Sequence, residues 1–506
     1  MYGRFFMSGI RKRSGKRKAV CPVYGFAGKG SAKLLFFLFF FCLATSAVAA
    51  CAVRKTKKTP ACSVEAVLEE NALTIGMNYR YVHEGEKEIS VLPFLLYTNA
   101  YREGAKKPVT TEDGERKVYQ NGKSYMKTDI LSVSTEGEGA TFSVGGEDDN
   151  VLYVDLGRTL FTGEEVAVEV DYRLILPECR FRTGIWENKV NLGDWLPVCC
   201  RFSDNGFREI SYSPFGDPYD LVCCDYSVEL TVPSEYIVAS GGKAVGTEVK
   251  GEVTAYSFDL QKGRDISFVL GKNFNVASGV ANGVCVSYYT EREEFREDLE
   301  LALDALDFFA SSFGKYPYET YSVAETAFAY GGMEYSGLSV VSDSLEKEER
   351  RRAIVHETAH QWWRGGVGFD QTKEHYLDEG LAEYSAYLYW KEKGDAGVAE
   401  EILAEAISAY KSFFELSSLL NGTADTRMDR DLSEFSSLLE YGNIAYNKSL
   451  VMFCRYGETI GERKTKQKLA KFYKKNLYGI ATLSDLTDVL GYAEHFRSFV
   501  EGKVLI

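Results

Sequence analysis

In the stretch VHETAHQWWRGG, residues 355–366, His356 and His360 stand four apart with Glu357 beside the first. On a helix this spacing puts both imidazoles on one face, where they can bind one zinc ion. Glu357 then lies next to the metal, where a base for the attacking water is needed. A polar helix stripe would look the same, so a third donor decides. One class of zinc peptidases would need glycine at 363 and histidine at 366, but the chain has Trp363 and Gly366. A carboxylate is offered instead by Glu379, in YLDEGLAEYSAYLYW at 376–390, after an interval of 18 residues, 361–378. Asp378 and Glu383 are its rivals. Two histidines and one carboxylate leave a fourth position for water, the arrangement of a catalytic site rather than a structural one.

These side chains need two crossed helices. Ser344 as cap, with Glu346, Glu348 and Glu349 near the positive end, predicts a helix over about 345–363. Gly365, Gly366 and Gly368 are expected to break it, and Glu379 to open a second helix over about 379–393. Further helices are expected at about 397–420, 441–456 and 462–476. Upstream, Phe295, Leu299, Leu303 and Leu306 recur near helical spacing, and Gly314 follows as a stop. Trp362 and Trp363 are read as core packing behind the first helix, His375 as a surface loop residue, and His83 and His495 give no signal.

From about 65 to 290 the period is two. Val166, Val168, Val170, Tyr172 and Leu174 alternate with Ala167, Glu169, Asp171 and Arg173, as do Tyr226, Val228, Leu230 and Val232 before Pro233. This half reads as an antiparallel β saddle or sandwich. No repeat of 20–50 residues is visible, which argues against a solenoid. The expected architecture is α+β and multidomain: a basic leader with a hydrophobic segment over 1–62, a β domain over 63–280, and a mainly helical catalytic domain over 281–506.

The chain has 506 residues, 45% of them hydrophobic, and a net charge of −14. Residues 1–58 carry 13 Lys and Arg and no acid, so the remainder carries −14 − 13 = −27. That charge excludes nucleic acid as a partner and weakly favours cationic groups such as peptide amino termini. The uncharged run Leu34–Cys51 after a basic leader directs the downstream chain across a membrane. With Ala47-Val48-Ala49-Ala50 before Cys51, it resembles a bacterial lipoprotein signal that is lipidated at Cys51. An uncleaved single-pass helix from Leu34 to about Val53 is the alternative. Both readings put residues after about 60 outside the cytoplasm. Eight of the 11 cysteines follow this segment. The adjacent pairs Cys199-Cys200 and Cys223-Cys224 cannot bridge internally on a strand, a bridge between the pairs is open, and buried free thiols are the other reading. CxxC spacing for a structural zinc is absent.

HExxH, the 18-residue interval and a glutamate heading DEGLAEY resemble the M1 family of gluzincin aminopeptidases. GGMEY at 331–335 is similar to that family's GxMEN motif, with Tyr335 in place of its asparagine. The resemblance implies that Glu334 binds the substrate's free amino terminus, with Gly331, Gly332 and Met333 alongside the peptide. YNKSL at 446–450 is similar to the family's Tyr-x-Lys-Gly segment, which implies that Tyr446 steadies the oxyanion; Tyr441 is the rival. GDWLPVCCRF at 193–202 and YSVELTVPSEYIVASGG at 226–242 are similar to the family's amino-terminal saddle, without its proline-cysteine-aspartate turn. Also implied are a thermolysin-like catalytic fold, one Zn2+ per chain on His356, His360 and Glu379, and peptide substrates with free amino termini. Only 127 residues (506 − 379) follow Glu379, so the family's carboxy-terminal helical domain is not expected, which would leave the site more open. The alternatives are an endopeptidase or tripeptidase of the same fold, with Glu334 in a structural ion pair, and a non-catalytic surface binding protein.

Overall fold

The computed structural model describes residues 58–393 and 396–506. The hydrophobic leader and Cys51 lie outside them, and among the described residues no helix is long and apolar enough to cross a membrane. The strand Ala61–Glu69 already belongs to the β domain, so the leader ends before residue 62.

The period-two segments form an eight-stranded sheet that runs from the edge strand Lys243–Lys250 to Glu138–Gly139. In its strand Glu165–Ile175, the five alternating side chains Val166, Val168, Val170, Tyr172 and Leu174 are all buried. Each such burial contributes roughly 1.5–3 kcal/mol, enough to fix the register, because a one-residue slip would turn all five outward. The sheet is not wholly antiparallel: Ala61–Glu69 pairs parallel with Cys224–Pro233. Those two strands are far apart in sequence, so no hairpin dictates their direction.

A five-stranded mixed sheet begins the second half, in the order Asn275–Ala281, Val284–Thr290, Thr320–Thr326, Leu338–Ser342, Gly332–Tyr335. Its first two strands form a hairpin. The expected cut at about 280 therefore passes through this hairpin, and the change of sheet lies between Gly271 and Asn275. The hairpin alternates like the β domain before it, so periodicity alone could not assign it. Leu338–Ser342 is buried along its whole length.

Helices pack against this sheet. Arg296–Phe313 ends at Gly314, whose φ of 128° suits glycine. The motif helix is Lys347–Ala359, shorter than expected. Its cap is Glu346, in a capping box with Glu349; the Ser344 hydroxyl is 2.8 Å from that of Ser342 instead. The helix ends at His360, five residues before Gly365, so the glycines do not break it. They serve close packing: a Cβ on Gly366 would lie 2.4 Å from the Tyr473 ring, and one on Gly368 would lie 2.3 Å from the Arg264 guanidinium. The carboxylate helix His375–Glu392 starts four residues earlier than expected, which places Glu379 in its second turn. Trp362 and Trp363 are fully buried, and their indoles donate to Gly314 O and Ser385 Oγ.

All eight cysteines among the described residues are free, and only Cys285 is exposed. His375 is not on the surface. It is 1% exposed, with Nε2 3.2 Å from Arg430 O and its ring against Phe435 and Tyr441. Burial lowers its pKa from 6.5 to about 4. The folded state therefore prefers neutral imidazole: this stability is complete above about pH 6.5 and is lost as pH falls toward 4. The loss reaches about 3 kcal/mol, from roughly 1.36 kcal/mol per pH unit. Melting temperature against pH should fall less steeply over that range in His375→Gln than in the wild type; parallel curves would refute the assignment.

Candidate active site

Buried hydroxyls hold the motif helix on the sheet. Tyr321 Oη lies 2.8 Å from Ser339 Oγ and 2.9 Å from Thr358 Oγ1, and Ser339 Oγ donates to Glu357 O at 3.1 Å. At the helix end, Gln361 accepts from Gly337 N at 2.9 Å and donates to Tyr335 O at 3.0 Å. Gln361 thereby locks the helix to the short strand Gly332–Tyr335. Glu334 and Gly332 face the motif helix, while Met333 and Tyr335, in strand alternation, face away. A Cβ on Gly332 would meet Glu357 Oε1 at 2.4 Å, so glycine here lets the glutamate pack against the strand.

The two helices bring His356, His360 and Glu379 together. The two Nε2 atoms are 2.9 Å apart, and Glu379 Oε2 lies 3.4 Å from the first and 3.3 Å from the second. Each ring is held from behind. His356 Nδ1 is 3.1 Å from Glu383 Oε1, and His360 Nδ1 is 3.1 Å from Asp378 Oδ1 and 3.0 Å from Trp363 O. With the His360 Nδ1–H turned to its two acceptors, its Nε2 lone pair points at His356 Nε2 and Glu379, whereas His356 Nδ1 lies at ion-pair distance from Glu383 without a hydrogen bond; ring nitrogens and a carboxylate this close are repulsive unless a cation lies among them. The donor set therefore fits zinc, with Asp378 and Glu383 orienting the imidazoles and Glu379 as the third donor. Glu379 and Glu383 share a helix face four residues apart, whereas Asp378 is turned by about a third of a circle from Glu379 and reaches the other histidine. Asp378 Oδ2 in turn accepts from Gln371 Nε2 at 2.6 Å.

The electrostatics agree. Burial alone would lower the pKa of His356, but the Glu383 and Glu379 carboxylates outweigh it and raise the value to about 10. A site that attracts a proton so strongly also attracts a metal cation. Burial works against ionisation of Glu379 as well, yet the two histidines hold its carboxyl far below the usual range. Glu357 is 5% exposed with Oε2 unpaired, and burial, opposed by His356 and reinforced by Glu334, lifts it to about 8.

Glu334 is 5% exposed, and its Oε1 has no hydrogen-bond partner; Arg364 Nε lies 3.8 Å away. Burial raises its pKa, the nearby His360 and Arg364 lower it, and Asp378 and Glu379 raise it further. Arg364 itself has φ 117°, a strained conformation, and is held by Asp265 at 2.5 Å. Tyr446 donates to Glu379 Oε1 at 2.6 Å and stacks on His356, with centroids 6.1 Å apart. Its rival Tyr441 turns toward Gly216 of the β domain and packs against His375. The expected single helix over 441–456 is interrupted by a π-helical segment, Gly442–Lys448, which carries Tyr446; such segments concentrate at functional sites. Sequence reasoning missed Gln361, Arg364 and Gln371, and no spacing rule marks any of them.

Residues 297–502 match the profile of the peptidase family M1 domain. Aminopeptidase M1-B of rice is 24% identical over 289 residues, which cover 52% of this chain and 32% of the relative. Endoplasmic reticulum aminopeptidase 2 of Homo sapiens is 23% identical over 319 residues, covering 58% of this chain and 32% of its own length. The chain thus spans about a third of these curated relatives. Among solved structures, an M1 zinc metallopeptidase from Deinococcus radiodurans has a TM-score of 0.61 at 16% identity, over 89% of this chain and 96% of its own. A mutant form bound to a Tyr-Ser-Ala substrate has a TM-score of 0.62 at 16% identity, over 88% and 96%. The α+β fold of the described residues, a β-rich first part and a helical peptidase domain, is that of these two-part structures.

Proposed function

We propose, from the M1 domain that residues 297–502 match, that the protein is a zinc-dependent aminopeptidase that removes amino-terminal residues from peptides. The observation that carries this reading is the pair of facing Nε2 atoms 2.9 Å apart, each imidazole backed by a carboxylate and both beside Glu379. Zinc bound there would polarise the scissile carbonyl and acidify the attacking water. Glu357, buried beside the two histidines and ionised by the charge of a bound cation, takes a proton from that water and passes it to the leaving amine. Tyr446, kept protonated by burial and by Glu379, turns its hydroxyl to the developing oxyanion. Glu334 accepts the substrate's ammonium, and Gly331, Gly332 and the Met333 backbone form the edge along which the peptide lies. The basic leader and apolar run before Cys51 support placing this site outside the cytoplasm, on a lipidated cysteine or a single anchor.

The test compares a free-amino peptide with its N-acetylated twin on the purified, zinc-loaded protein. The free peptide should be cut at least tenfold faster. Equal rates would favour an endopeptidase, and no cleavage of either with zinc bound would favour a binding protein.

A further inference from the structure

Arg364 stands in a backbone conformation, φ 117°, that glycine adopts freely and side chains rarely do. The turn around it is closely held: its N–H donates to Val367 O at 2.8 Å, its carbonyl accepts from Arg264 Nε at 2.5 Å, and a Cβ on the next residue, Gly365, would lie 2.7 Å from Gln361 O. Glycine at 364 would fit this turn without strain. A strained residue persists where something else offsets the strain, and here that must be the side chain. It is 2% exposed and runs to Glu334. Arg364 Nε and Glu334 Oε1 face each other at 3.8 Å, both buried and neither with a hydrogen-bond partner. That distance suits a counterion and is too long for a hydrogen bond. Two contacts hold the guanidinium back: Nη1 forms an ion pair with Asp265 Oδ2 at 2.5 Å, and the Tyr219 ring lies against it with the centroid 5.6 Å away. Asp265 is itself fixed, because its Oδ1 accepts from Ser336 N at 3.0 Å, just after the strand Gly332–Tyr335 that carries Glu334.

We propose that Arg364 is a positioning residue that sets how strongly the protein discriminates free from blocked amino termini: it is the counterion of the buried Glu334 carboxylate, and its tether to Asp265 leaves that carboxylate unbonded for the substrate's ammonium. This rests on the aminopeptidase reading. A carboxylate buried with no cation beside it is costly, whereas one locked in a two-point bond to arginine must break that bond before it can accept an amine. The open pair avoids both. Losing the guanidinium, or letting it close on Glu334, removes the advantage of a free amine and leaves the ligand's other contacts as they are.

Equilibrium binding of L-leucine and N-acetyl-L-leucine to the intact, zinc-loaded protein tests this, because the two ligands differ only at the amine. The wild type should bind the free amine about tenfold more tightly, as a charge-assisted contact with Glu334 implies. Two variants should each reduce that preference to below about threefold, with affinity for N-acetyl-L-leucine and bound zinc unchanged. Arg364→Gly removes the counterion and relieves the backbone. Asp265→Asn keeps an acceptor for Ser336 N but frees the guanidinium to close on Glu334; being nearly isosteric, it keeps the test independent of how Arg364→Gly folds. With a free-amino peptide, the loss should fall on KM rather than on kcat. A preference that stays near the wild-type value in the zinc-bound variants would overturn the proposal, as would an equal loss of affinity for both ligands, which is what a merely structural role gives. If the wild type itself binds both ligands alike, the aminopeptidase reading fails, and the role of Arg364 falls with it.

Discussion

Glu357→Gln is expected to lower kcat/KM by about 10³-fold while leaving bound zinc at one per chain. General-base catalysis contributes about 10²–10⁴-fold, and an amide of the same shape cannot take the proton. The substitution should also be neutral for the fold. Glu357 Oε2 has no hydrogen-bond partner to lose, and glutamine keeps the shape of the buried side chain. The substitution leaves untouched His356, His360 and Glu379, the three residues proposed to hold zinc. The check is steady-state kinetics beside metal analysis and a thermal melt. Activity within tenfold of wild type would remove Glu357 from the chemistry; lost activity with lost metal would make it a structural support of the site.

The parts of this site that sequence reasoning reached are those set by local geometry. Histidines four apart share a helix face whatever the rest of the fold does, so His356 and His360 needed only a helix to be paired. Val166 to Leu174 likewise needed only a strand. The third donor was harder, because Asp378, Glu379 and Glu383 all lie on one helix within six residues, and composition does not distinguish them. Their roles depend on the angle at which that helix crosses the first. The crossing gives all three a place: one carboxylate faces the gap between the imidazoles, and the other two stand behind the rings.

What sequence reasoning missed depends on contacts between distant segments. His375 looks like a loop residue by its polar, charged neighbours, yet Phe435 and Tyr441 from more than 50 residues away close over it. The π-helical turn around Tyr446 inserts one extra residue per turn without any composition that announces it. The hairpin Asn275–Thr290 has the alternation of the β domain but joins the sheet under the catalytic helices. In each case the local pattern was right about conformation and silent about partner.

Asp378→Asn is expected to weaken zinc binding 10- to 100-fold, with Asp378 acting behind His360 rather than on the metal in the proposed site. Removing a carboxylate that backs a ligating imidazole typically has this effect, equivalent to about 1.4–2.8 kcal/mol. Asp378 is 1% exposed, Gln371 fixes its far oxygen at 2.6 Å, and its near oxygen stands 3.1 Å from His360 Nδ1. Asparagine keeps the shape and loses the charge, so His360 becomes a poorer donor, while Trp363 O at 3.0 Å still orients the ring. Glu383→Gln should do less, since the Glu383 side chain is 26% exposed and solvent screens its charge on His356. Competition with a chelator measures both affinities. Saturating zinc should return most of kcat in Asp378→Asn, which separates a lost metal from a lost catalytic group. Affinity within threefold of wild type would mean that the backbone carbonyl alone sets the His360 tautomer and that the carboxylate behind it is dispensable.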